Sequence, residues 1–159
     1  MIQKSKHFLD DGETIDKISF DHFIGHCKVL EIPNDIDVIQ LKHLTKYEIN
    51  KNDRILFKTR NSSFVEDKEF HKDFVYLADE TAEFLAGKGV LAVGIDYFSV
   101  EGLGDEKHVV HKSLLGKNVL IIEGLCLKGV PEGEYEMIAM PLKLKNGNGA
   151  PGRVILREL

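Results

Sequence analysis

The residues best suited to chemistry in this 159-residue chain are histidines and carboxylates at particular spacings. His108 and His111 lie three apart, so on a helix they share a face. Twelve residues after His111 comes Glu123, set in the apolar run "VLIIEGL". A glutamate in such a run is costly unless it is paired, hydrogen-bonded or ligating a metal. The plainer reading is a carboxylate at a strand end, where the chain turns out to solvent. Near the start stands His7, in "HFLDDG", a histidine–phenylalanine pair ahead of a polar, glycine-ended turn. Asp96 ends "VLAVGID". Acids at the carboxyl end of a buried strand often face a binding crevice. They also cap the next turn, and the structural role, with Ser99 as partner, is the one expected here.

Other chemistries find little support. His22, His26, His43 and His71 have no acid at ligand spacing and read as surface or packing residues. There is no G-x-S-x-G, and neither cysteine has a histidine at motif spacing. Cys27 and Cys126 sit in separate apolar runs and form no C-x-x-C zinc pair; buried free thiols are expected, with a disulfide as the alternative. "KNGNGAPG" matches neither a P-loop nor G-x-G-x-x-G and reads as a hairpin loop.

The elements that position these groups follow from hydrophobic pattern. Residues 27–32, "CKVLEI", alternate and stop at Pro33, and "RILFKT" at 54–59 forms a second strand. A short helix through "VIQLKHL" is expected, capped by Asp35 or Asp37, with Ile39, Leu41 and Leu44 inward. The clearest helix is "KDFVYLADETAEFLAGKG", with Asp73 as cap and Gly87 or Gly89 as terminator. "VLAVGID" follows at once, apolar enough to be covered on both faces. Residues 107–116 form a shorter helix, "NVLIIEGL" another buried strand, and "YEMIAMPLKL" and "RVILREL" the last strands. The fold class is therefore α/β, a mixed sheet with packed helices.

Composition narrows the function classes. Hydrophobic residues are 43% and charged residues 30%, as in ordinary globular domains. A net charge of −5, with bases scattered among acids, argues against nucleic acid as a partner. No apolar run reaches the ~18 residues of a membrane helix, and no signal peptide is visible, so a cytoplasmic protein is expected.

Taken together, "HFLDDGETIDKISFDHFIGHCKVLEI", "LADETAEFLAGKGVLAVGIDYFSVE" and the stretch from "HKSLLGKNVLIIEGL" to "GNGAPGRVI" resemble the cyclase family of metal-dependent hydrolases, which includes bacterial kynurenine formamidase. The likeness spans nearly the whole chain and implies that family's swivelling β/β/α fold. The family signature is H-x-G-T-H-x-D-x-P-x-H-F, with a histidine and a glutamate twelve apart further on. By resemblance His7 is the catalytic acid/base, and His111 and Glu123 are metal ligands for zinc or manganese. The remaining ligand positions are not matched: the signature's aspartate falls on Gln3, its proline on Ser5 and its second histidine on Met1. Residues 1–159 thus read as one cyclase-family domain lacking its N-terminal part. The resemblance implies hydrolysis of a small amide or cyclic amide, such as an aryl formamide, in a homodimer or larger homo-oligomer. The alternatives are a catalytically degenerate relative that binds a ligand, and a structural dimer module.

Overall fold

The computed structural model describes residues 1–3, 12–64, 66, 67, 69–104 and 106–159. Three short strands with apolar centres make its middle: β4 (Arg54–Lys58), β6 (Ala92–Ile95) and β7 (Leu120–Ile122). They are parallel neighbours, with Ile55 opposite Val93 and Val93 opposite Ile121. Alternate residues feed two cores. Ile55, Phe57, Val93, Ile95 and Ile121 face one; Leu56, Ala92, Leu120 and Ile122 face the other. Cover on both faces is what the continuous apolar runs required. Gly94 is where the packing is tightest: a Cβ there would lie 2.6 Å from Leu56 Cδ2 and 2.8 Å from Leu125 Cδ1.

Two helices, α1 (Asp79–Lys88) and α2 (Val109–Gly116), cover the first face. Leu85, Leu114 and Leu115 have almost no exposed surface. Each such leucine contributes roughly 1.5–3 kcal/mol of burial. Gly89 ends α1 in the left-handed region, φ 72°, where a side chain would be strained. The sheet continues through β2 (Ile24–Glu31), β8 (Gly133–Pro141) and β10 (Gly152–Glu158) on one side. On the other side stand the two-residue strands β1 (Ile2–Gln3) and β9 (Gly149–Ala150). The order is β10-β8-β2-β4-β6-β7-β1-β9, a mixed sheet. Because β9 and β10 are joined through Pro151 alone, the two edges come together and the sheet nearly closes.

Three expected elements differ from what forms. Residues 35–44 hold no α-helix but the strand β3 (Val38–Ile39) and a single 3₁₀ turn, Leu41–Leu44. Ile39 and Leu44 are buried as expected, whereas Leu41 is exposed. Helix α1 starts at Asp79 rather than near Asp73, because the residues before it are held extended. Asn61 bonds both backbone groups of Val75 (2.8 and 2.9 Å), and β5 (Tyr76–Leu77) pairs in parallel with β3. The N-cap of α1 is Ala78 and not Asp73, whose carbonyl accepts from Arg60. The loop at 145–152 does join β8 to β10, but β9 lies inside it and pairs with β1. Among the described residues no helix is long and apolar enough to cross a membrane.

Both cysteines are free: Cys27 is buried and Cys126 exposed. Burial pushes the Cys27 thiol up to about 12, outweighing the nearby Arg54 guanidinium. A thiol titration at pH 8 with an aromatic disulfide reagent is therefore expected to count one cysteine in the native protein and two in urea. A native count of two would contradict the burial of Cys27.

Candidate metal centre

Thr59, Asp96 and Glu123 follow directly on the last residues of strands β4, β6 and β7. All three thus stand at the carboxyl ends of parallel strands, where open α/β sheets form their binding crevices. Asp96 is almost fully buried and accepts four hydrogen bonds, from Thr59 N (2.7 Å), Thr59 Oγ1 (2.8 Å), Ser62 N (3.1 Å) and Ser62 Oγ (2.7 Å). Its role is structural, as expected, but the partner is not Ser99, whose hydroxyl instead accepts from Glu101 N at 3.0 Å. Burial pushes the Asp96 carboxyl above its usual range, against the pull of those bonds.

Glu123 anchors a buried chain of polar groups. Its Oε1 lies 3.2 Å from His111 Nε2 and accepts from Val100 N at 3.0 Å. Its Oε2 accepts from Gln3 Nε2, which the antiparallel pairing of β1 with β7 delivers. The other ring nitrogen of His111, Nδ1, lies 2.9 Å from Glu101 Oε2, and His108 Nδ1 approaches the same oxygen at 2.9 Å. Glu101 Oε1 meanwhile accepts from Val110 N at 2.8 Å, satisfying an amide in the first turn of α2. Glu101, His111, Glu123 and Gln3 are all buried. His108 precedes the helix in the left-handed region, φ 53°, so the two histidines meet at Glu101 without both being helical. Burial disfavours a charge on His111, but the hydrogen bonds and charges of Glu123 and Glu101 outweigh it and raise its pKa.

The structure therefore brings His111 and Glu123 together. His7 lies outside the described residues. Glu101 escaped the sequence reading: it sits seven residues before His108, a spacing that matches no capping or ligand motif. Of the other histidines, two meet an acid that the sequence reading did not give them: His71 lies 2.7 Å from Asp67 and His26 3.2 Å from Glu134. His22 Nε2 lies 3.2 Å from Asn118 O, His71 stacks on Phe64 at 3.9 Å between ring centres, and His43 bonds the Gln40 amide. A cleft of about 540 Å³ runs past Glu123, walled by Ile2, Leu125, Cys126 and Arg153. That volume suits a small molecule.

The donor set fits a divalent cation. With Nδ1 directed at Glu101, His111 presents Nε2 toward Glu123, the arrangement of a ligand histidine oriented by a carboxylate. A proton on Nε2 serves the same contact, and a cation takes its place. Beside them Gln3 Oε1 is buried with no hydrogen-bond partner among the described residues. Glu101, His108 and His111 also form a second, overlapping group whose ligand atoms lie within 4.8 Å of one another.

A mixed sheet packed on two helices, with histidine and carboxylates gathered at its parallel strand ends, defines a small-molecule-binding α/β protein with a possible metal centre. Residues 4–102 match the sequence model of the Cyclase family, and this chain belongs to that family. It is 38% identical to kynurenine formamidase of Erythrobacter litoralis over 156 residues, covering 96% of this chain and 69% of that protein. Kynurenine formamidase of Salinibacter ruber is 34% identical over 152 residues, covering 96% and 71%. A solved structure described as a "potential metal-dependent hydrolase with cyclase activity" superposes with a TM-score of 0.91 at 39% identity, covering 99% of this chain and 78% of that one.

Asp96→Ala strands two buried backbone amides and two hydroxyls. It is expected to lower stability by roughly 3 kcal/mol or more in urea unfolding. A loss below about 1 kcal/mol would mean that the four bonds are replaced by water.

Proposed function

We propose that this chain is a metal-dependent hydrolase of a small amide, with an aryl formamide as substrate and zinc or manganese as the cation. The observation that carries the reading is the buried contact between His111 Nε2 and Glu123 Oε1, at 3.2 Å, with Glu123 itself lining a cleft of small-molecule size. The family membership and the formamidase relatives support it. When bound, a divalent cation supplies Lewis acidity to a water and to an amide carbonyl. His111 and Glu123 hold it, and Gln3 offers an uncharged oxygen beside them. Glu101 keeps His111 turned to the site. His7 accepts a proton from the attacking water and returns it to the leaving amine. The apolar walls of Ile2 and Leu125 exclude bulk water and seat the aryl group.

A second reading has its own observation. Gln3 donates an N–H to Glu123, where a carboxylate would have added a charge for the cation. This favours a degenerate relative that keeps the cleft and binds a ligand without turning it over.

Metal analysis and formate release from N-formylkynurenine separate the two. The hydrolase reading expects about one zinc or manganese per chain, lost in His111→Ala and Glu123→Ala, with measurable formate. Bound ligand without metal or formate sinks it. Gln3→Asp restores a charge and is expected to tighten zinc by about tenfold or more in calorimetric titration. His7→Ala is expected to slow turnover by roughly 10²–10⁴ while leaving metal content unchanged.

A further inference from the structure

We infer that Glu101 is the positioning residue that makes His111 a ligand, by fixing which of its ring nitrogens carries the proton. The inference rests on the proposed cation site at His111 and Glu123. Three observations lead to it. Glu101 is 5% exposed, so its two oxygens must be satisfied within the protein. Oε1 is committed to the α2 backbone, 2.8 Å from Val110 N. Oε2 is committed to the histidines, 2.9 Å from His111 Nδ1 and 2.9 Å from His108 Nδ1.

A carboxylate only accepts, so Nδ1 of His111 must donate and carry a hydrogen. Nε2 meets a carboxylate too, Glu123, and holds a proton against it; a bound cation would displace that proton and not the one on Nδ1, leaving the Nε2 lone pair to the cation. A half-turn of the ring would bring Cδ2 to the place of Nδ1 and lose the bond to Glu101. The backbone of α2 locks the arrangement from the far side, because the oxygen that receives Val110 N is fixed by the helix.

That lock gives an isosteric substitution an unusual consequence. In Glu101→Gln the amide oxygen must stay on Val110 N; otherwise two donors meet in a buried site. The amide NH₂ then faces Nδ1 of His111 and demands an acceptor. His111 is driven to carry its proton on Nε2, where it can donate to Glu123 but cannot ligate. Size and shape are unchanged, and only the direction of one hydrogen bond is reversed.

Zinc titration by calorimetry on wild type, Glu101→Gln, His108→Ala, Glu123→Gln and His111→Ala tests this. Thermal melts in chelator confirm that each variant is folded. Glu101→Gln is expected to weaken zinc by about 10–100-fold, with Glu123→Gln and His111→Ala also losing it. His108→Ala, whose side chain is 47% exposed, is expected to stay within about threefold of wild type. If Glu101→Gln binds zinc like wild type while the Glu123 and His111 variants do not, the positioning role falls and the hydrolase reading stands. If the Glu101 and His108 variants lose zinc while Glu123→Gln keeps it, the cation sits among Glu101, His108 and His111, and both fall. Absence of zinc binding by wild type also overturns both. Should Glu101→Gln not fold, ring ¹⁵N shifts of zinc-loaded wild type decide the point. A hydrogen on Nδ1 of His111 is expected, and one on Nε2 overturns the inference.

Discussion

A carboxylate at the buried end of a parallel strand has lost its water and must recover its solvation from the protein. That requirement organises the upper end of this sheet twice. Asp96 recovers it from Thr59 and Ser62, which ties the end of β6 to the turn that follows β4. Glu123 recovers it from Gln3, Val100 and His111, three segments far apart in the chain. The first set consists of hydroxyls and backbone amides from one neighbouring turn and makes a fixed brace. The second includes an ionisable ring that itself leans on another acid, Glu101, so its charge and direction depend on what is bound.

Much of the sheet could be read from the chain because its physical cause is local. Runs such as Ile55–Phe57 and Ala92–Ile95 are apolar on consecutive residues, as a strand covered on both faces requires. The strands of two residues could not be read. Ile2–Gln3, Val38–Ile39, Tyr76–Leu77 and Gly149–Ala150 carry no periodicity and exist because a partner is brought to them. The late start of α1 has the same origin. Phe74–Leu77 continues a helical pattern, but Asn61, over ten residues earlier, bonds Val75 in an extended form.

The site divides in the same way. His111 and Glu123 were visible because an acid in an apolar strand is an anomaly on any reading. Asp96 was assigned its role correctly and its partner wrongly: Ser99 was near in sequence, while Thr59 and Ser62 are near in space. Glu101 was invisible. It looks like an exposed turn acid, yet its two oxygens are set between a helix start and two histidines.

The pairing of β1 with both β7 and β9 fixes when the site comes into being. Gln3 reaches Glu123 across 120 residues, and its strand is flanked on the other side by Gly149–Ala150. Closing so long a loop is entropically unfavourable until the parallel strands are in place to receive it. The polar cluster that β1 completes is therefore expected to close only after β4, β6 and β7 have paired.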